Sequence, residues 1–396
     1  MTAFADLPAV RLKPKADQRA RRGHPWIYSN EVEMDAPTKA LPPGETVRVV
    51  SASGEVLDHG WFNPSTLISV RRLETGARAP DADLFLQRLT AAKALRERMI
   101  GVPFYRWIHA EADGLPGVIV DRFGDVAVIQ ANTAGAERGL DALAEAITVV
   151  APEIRTVVAR NDTASRALEG LPQETRVLRG EITGPIRVHE NGIDYLCDPI
   201  EGQKTGWFYD HRANRAQIGG LCAGAEVLDL YAYAGAFALQ AGRGGARSVL
   251  SVDRSERSLE LARESARGAG LADTVTFQRA DVFDLLEQAA PNSYDVVIAD
   301  PPAFAKSRKD QPQAMKGYRK LARLCARLVR PGGFLFVASC SHAVDSLTFQ
   351  QETARGVLEA GRRGRIVARG GADRDHPEHP HLPESAYLKA LTYALV

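Results

Sequence analysis

Tyr294-Asp295-Val296-Val297-Ile298-Ala299-Asp300-Pro301-Pro302-Ala303-Phe304 decides how this 396-residue chain is read. Four consecutive apolar residues, three of them β-branched, have the character of a strand buried on both faces. Two prolines, which cannot donate to a sheet ladder, stop that strand, and an acid stands at the stop. Downstream, Phe334-Leu335-Phe336-Val337-Ala338 ends in a similar way, on Ser339-Cys340-Ser341. In open α/β sheets, ligands bind outside the carboxyl ends of the strands, so both stops are candidate sites.

Upstream, strands alternate with helical stretches from about Gly206. Val227-Leu228-Asp229-Leu230, Ser248 to Asp253 and Val275-Thr276-Phe277 read as strands, with a helix over Ser255 to Arg267. That is the rhythm of a doubly wound, Rossmann-like α/β sheet. Acids recur at successive strand ends: Asp229, Asp253 and then Asp281. The 24 residues from Asp229 to Asp253 fit one βαβ step. Such folds place an acid like Asp253 on ribose hydroxyls, and one at Asp281 can meet an adenine amino group. The first turn, Tyr231-Ala232-Tyr233-Ala234-Gly235, has one glycine where a dinucleotide fingerprint has three. This disfavours NAD and suits a cofactor without pyrophosphate, S-adenosylmethionine. Asp229, Tyr231, Gly235, Asp253 and Asp281 are therefore the expected cofactor residues. Lys204 and Thr205, in Gln203-Lys204-Thr205-Gly206, are placed with them as a turn that closes over cofactor or phosphate; a plain turn has the same composition.

An acid-Pro-Pro-aromatic turn beside such a cofactor holds a planar base, which assigns Asp300, Pro301, Pro302 and Phe304 to the substrate. Carbon-5 of a pyrimidine is a poor nucleophile until a group adds at C6, and Cys340 offers a thiolate for that addition. Asp300 would then hold the amino edge of the base. The expected chemistry is cytosine-C5 methylation. Methylation of an exocyclic base amine needs no cysteine and is the alternative, and a catalytically silent RNA-binding protein is a third reading. A cysteine after a buried strand is also commonly inert. His342 reads as a surface histidine or a proton carrier. His376-Pro377-Glu378-His379-Pro380-His381 resembles a metal cluster in composition only, because the prolines oppose ligand geometry and no cysteine set accompanies it.

Net charge is +1, which excludes a generic polyanion binder, yet its distribution is uneven. Residues 301–330 carry a net +8 and residues 1–30 a net +4. Lys306 and Arg308, directly after the Pro-Pro turn, are expected on a phosphate backbone, with a solvated helix face as the simpler explanation. The four cysteines lack paired spacing, no apolar run would span a bilayer, and no secretory signal is visible. A cytoplasmic protein without membrane attachment is the expectation, as monomer or homodimer. Three domains are expected: residues 1–75, a small β-rich module; 76–195, α+β; and 196–396, the cofactor domain. Within the second, Gly117 to Asp121 and Val126 to Gln130 read as a hairpin and Ala136 to Ile147 as one helix. Thr75 to Pro80 reads as a linker.

Taken together, several motifs resemble the bacterial ribosomal RNA large-subunit methyltransferase I family. They are Arg22-Gly23-His24-Pro25-Trp26, Gly60-Trp61-Phe62-Asn63-Pro64, Glu111 to Gly117, Gly202 to Gly206 with Phe208, Asp300 to Phe304, Ser339-Cys340-Ser341, and Asp375-His376-Pro377 with Tyr387-Leu388-Lys389. The resemblance covers nearly the whole chain. It implies an N-terminal β-barrel PUA domain that binds RNA, a central α+β domain and a C-terminal class I methyltransferase domain. It further implies S-adenosylmethionine at Asp229, Asp253 and Asp281, Cys340 as nucleophile, and 23S rRNA or a large-subunit assembly intermediate as substrate.

Overall fold

A computed structural model describes residues 7–76, 83–305 and 307–396. Contacts divide the chain into two compact units. The first holds the chain up to Gly184 with Asp198–Trp207 and Asp375–Ser385; the second holds Pro185–Cys197, Phe208–Arg374 and Ala386–Val396. The expected linker falls partly on residues 77–80, outside the described residues.

The second unit is built on a seven-stranded sheet. Its strands are β1 (Glu226–Leu230), β2 (Ser248–Asp253), β3 (Val275–Arg279), β4 (Tyr294–Ala299), β5 (Val329–Ser339), β6 (Gly364–Gly370) and β7 (Lys389–Leu395). Their order is β3-β2-β1-β4-β5-β7-β6, with β7 antiparallel to both of its neighbours and the first five parallel. Strand order reverses between β1 and β4, the switch point where loops part and leave a crevice. The helices are α1 (Arg212–Gly219), α2 (Ala236–Arg243), α3 (Glu256–Gly268), α4 (Val282–Gln288), α5 (Gln311–Leu328) and α6 (Ser346–Glu359). The core joins Leu228, Leu230, Val297, Ala299, Leu335 and Val337 of the strands to Tyr318, Leu321, Leu328 and Phe349 of the helices. Val296, Val297, Ile298 and Ala299 are all buried, as the continuous apolar run of β4 requires of a parallel strand covered on both faces.

Register sets the site. Ala299 of β4 lies opposite Val337 of β5, and Ser339 lies opposite Lys389 of β7. Asp300 and Cys340 therefore leave the same edge of the sheet from adjacent strands.

The first unit carries two five-stranded sheets. One, within residues 9–72, closes over Val10, Leu12, Ile27, Val47, Val49, Phe62 and Val70. The other spans Phe104–His109 to Glu174–Arg179 and packs with the helices Leu84–Ile100 and Leu140–Val150. The expected hairpin is present as Val118–Phe123 paired with Val126–Ala131. The single helix expected over Ala136 to Ile147 is two helices, Ala134–Arg138 and Leu140–Val150. They meet at Gly139, where an added Cβ would come within 2.7 Å of the Phe85 ring.

Candidate active site at the carboxyl edge of the sheet

The turn after β1 has an unusual backbone. Tyr231 and Tyr233 hold left-handed φ angles of 61° and 50°, and Gly235 follows at 72°. A non-glycine residue held there is strained by about 1–3 kcal/mol, a feature that clusters at ligand clamps. Gly235 has a packing reason as well, because a Cβ would meet Ala262 at 3.0 Å and Phe277 at 3.1 Å. Asp253 ties the turn to the end of β2: its Oδ2 accepts from the Tyr233 N–H at 2.8 Å, its Oδ1 from Ser255 N–H at 2.8 Å. Asp229 is fully buried, accepting from Ala238 N–H at 3.1 Å and Ser251 Oγ–H at 3.5 Å. Burial pushes its carboxyl up to about 8; the Ala238 N–H works against this, the Asp300 and Asp253 carboxylates add to it, and the Arg215 guanidinium opposes it. A buried acid held this high is the environment that a ligand's ammonium or sulfonium would relieve. Asp281 caps α4, its Oδ1 accepting from Phe283 N–H at 2.9 Å and Asp284 N–H at 3.4 Å. Loop strain, a glycine-dependent close approach and a buried acid raised by its surroundings together fit a compact cationic cofactor.

Asp300 has a partner that sequence reading missed. The Nε2 of His211, in the turn before α1, lies 3.1 Å from Asp300 Oδ2. Asn214 Nδ2–H donates to Gly371 O at 3.1 Å and faces His211 Nδ1 at 3.1 Å. An amide nitrogen has no acceptor lone pair, so Nδ1 must accept and Nε2 must carry the proton. His211 therefore donates to Asp300. Its ring is buried against Phe237 and Phe336, with centroids at 5.4 and 6.4 Å. Nothing in the local sequence marks His211 beyond its place just before a helix.

A hydroxyl network joins the two strand ends. Ser339 Oγ–H donates to the Tyr318 phenol oxygen at 2.8 Å, and Tyr318 shares a 2.8 Å bond with Ser341 Oγ. Ser341 Oγ accepts from Ala305 N–H at 3.3 Å, and the Phe304 N–H reaches the Tyr318 oxygen at 3.5 Å. The Phe304 ring packs on Tyr318 with centroids 4.7 Å apart. Pro301 is buried and Pro302 exposed. Cys340 is half-buried between two fixed serines, whereas Cys197, Cys222 and Cys325 are buried.

The basic stretch is partly internal. Arg319 pairs with Glu352, Lys320 with Glu287 at 2.8 Å, and Arg330 with Glu226 and Asp295; Arg327 donates to backbone carbonyls, including Leu286 O at 2.6 Å. Arg308, Lys309, Lys316 and Arg323 are exposed, and Lys306 lies outside the described residues. Lys204 and Thr205 belong to the first unit, where the buried Thr205 hydroxyl donates to Asp121 Oδ2 at 2.5 Å. His376 and His379, in the same unit, pair with Asp375 at 2.8 Å and Glu74 at 3.0 Å. His342 is exposed and stacks on Tyr387, with centroids 5.3 Å apart. Among the described residues, no helix is long and apolar enough to cross a membrane.

Residues 111–394, which include the switch point and the acids at its strand ends, match a family model described as S-adenosylmethionine-dependent methyltransferase, and residues 10–75 one described as PUA-like domain. The protein is thus a methyltransferase that uses S-adenosylmethionine. "Ribosomal RNA large subunit methyltransferase I" of Shewanella denitrificans is 38% identical over 390 residues, covering 96% of this chain and 98% of that one. Its Photobacterium profundum counterpart is 38% identical over 389 residues, with the same coverage. The chain belongs to the ribosomal RNA large subunit methyltransferase I family. In fold it is similar to SMU.776, solved in complex with SAH, at a TM-score of 0.83 and 21% identity over 98% of this chain and 100% of that one.

Proposed function

We propose that the protein methylates C5 of a cytosine in 23S rRNA, free or in an assembling large subunit, in the cytoplasm. The relatives' names point to ribosomal RNA. The observation that carries the chemistry is a half-buried cysteine and an oriented aspartate leaving one sheet edge on adjacent strands. Asp229, Tyr231, Gly235, Asp253 and Asp281 would hold the cofactor. S-adenosylmethionine, when bound, supplies the electrophilic methyl group that C5 takes.

The chain's residues make C5 reactive. Cys340 adds as thiolate to C6, forming an S–C6 bond and moving electron density to C5 and the N3–C4 edge. Asp300, with one oxygen committed to His211, presents the other to the exocyclic amino N–H of the base. The Pro301-Pro302 turn and Phe304 fix the plane of the ring. After methylation the C5 proton is lost to a base, the S–C6 bond breaks and Cys340 leaves as thiolate. Arg308, Lys309, Lys316 and Arg323 are the exposed cations on hand for the phosphate backbone, with Lys306 as a further candidate.

Nucleoside analysis after methyl transfer to unmodified 23S rRNA tests this reading. The expected product is 5-methylcytosine, absent with Cys340→Ala. A methylated exocyclic amine formed equally well by Cys340→Ala would overturn it and establish the alternative chemistry. Oligomeric state, monomer or homodimer, is read from the same preparation by sedimentation.

A further inference from the structure

Lys389 opens β7 opposite Ser339, in a position where a strand of this kind places an apolar residue. It is buried, and Nζ–H donates to Ser341 O at 2.6 Å and to Val344 O at 2.7 Å. Both carbonyls lie in the loop that carries Cys340, one of them on the very next residue. An ammonium taken from water is kept in such a place only with compensation. Two carbonyl dipoles supply part of it. Burial still pushes Lys389 down to about 8, while Cys340 and then Asp345 hold it up. The coupling between ammonium and sulfur is reciprocal: a thiolate that favours the cation is favoured by it.

We propose that Lys389 is the positioning residue of Cys340: its buried ammonium pins the loop after the thiol through two carbonyls and supplies the positive field that keeps the sulfur as thiolate. The inference rests on Cys340 as the nucleophile for its purpose, though not for its test. The other ionisable groups of the packed elements leave this role to Lys389. Tyr318 is held above its ordinary range by burial first of all, and so stays neutral. Asp345 is held below its range by Thr348 and stays anionic, opposing the thiolate. His342 is exposed and stacked on Tyr387. Asp300, leaving the adjacent strand end, is a second acid on that edge, and Lys389 is a buried cation that binds the loop directly.

Alkylation of the full chain by iodoacetamide, followed at Cys340 by peptide mass spectrometry from about pH 5 to 10, reads the thiolate directly. The other cysteines serve as a folding control. Cys197 is buried, while burial pushes Cys222 up to about 12 and Cys325 higher still, so their labelling would report unfolding. In the wild type the Cys340 midpoint should fall below the roughly 8.5 of a free thiol. Lys389→Met should raise it by about one pH unit, slowing alkylation near neutrality about tenfold, and Lys389→Arg should hold it near the wild-type value. A wild-type midpoint at or above that of a free thiol overturns the proposal, whether or not Lys389→Met folds. So does a folded Lys389→Met with an unmoved midpoint. A low, lysine-dependent midpoint in an enzyme that methylates without Cys340 would uphold the thiol's activation and defeat its assignment as nucleophile.

Discussion

The two rims of the seven-stranded sheet are both rich in charge and are built on opposite principles. At the amino rim, Glu226, Asp295, Arg247 and Arg330 form a closed ionic cluster, with Arg330 reaching both acids and the Asp295 carboxylate also accepting from Glu226 N–H at 2.8 Å. Burial alone would raise Asp295, but the Glu226 N–H and the Arg330 guanidinium outweigh it and hold the carboxyl below its ordinary range. At the carboxyl rim, Asp229 is buried and pushed the other way, because burial outweighs the Ala238 N–H and the Arg215 guanidinium. The turn beside it is strained, and Asp300 meets a histidine N–H. A cleft lined by Leu221, Gly224, Arg247, Asp295 and Phe334 opens at the amino rim. What separates the rims is the balance of charge: at the amino rim an N–H and a guanidinium outweigh burial at Asp295, and at the carboxyl rim burial outweighs them at Asp229.

The contrast breaks most sharply at Cys340. Cys340→Ala should reduce turnover by roughly 10³-fold or more while cofactor binding, followed by calorimetry, stays intact. Next comes Asp229. Its carboxyl must lose a proton to meet a cation, so cofactor affinity should rise about tenfold per pH unit up to about 8 and level off above it. The sign for stability is opposite: a carboxyl raised in the folded state loses stability as pH climbs from 3.8 to about 8. Asp229→Asn should therefore abolish cofactor binding yet melt higher than wild-type apoprotein at pH 8, as read by calorimetric Tm.

His211→Ala should lower kcat about 10- to 100-fold through a misplaced Asp300, and His211→Gln, which keeps an N–H donor, should recover most of it. Equal losses in both variants would mean that more than positioning is at work. The smallest effect is expected at the amino rim. Arg330→Ala should lower the denaturant midpoint only slightly and leave kcat unchanged.

Strand ends were the legible part of the sequence because they combine two local signals, an apolar run and an abrupt polar stop. Asp229, Asp253, Asp300 and Cys340 were found that way and stand on the rim of one sheet. His211 was not, since its meaning comes from Asp300 and Asn214, and the former lies far along the chain. Lys389 carried a readable signal that was quoted only for resemblance: a lysine in line with Leu391, Tyr393 and Leu395 of a buried strand is an anomaly in itself. The basic stretch misled in part, because the acids that engage Arg319, Lys320 and Arg330 come from other elements. The close approach of the Phe85 ring to Gly139 was equally non-local.

The most direct test is covalent trapping on RNA carrying 5-fluorocytosine. Fluorine at C5 blocks the final elimination, so an enzyme that adds through C6 stays attached to its substrate. Incubated with S-adenosylmethionine and such 23S rRNA, the wild type should give a denaturation-resistant protein–RNA adduct mapping to Cys340, and Cys340→Ala none. Methyl transfer to ordinary RNA without any adduct on the fluorinated RNA would contradict C5 chemistry through Cys340.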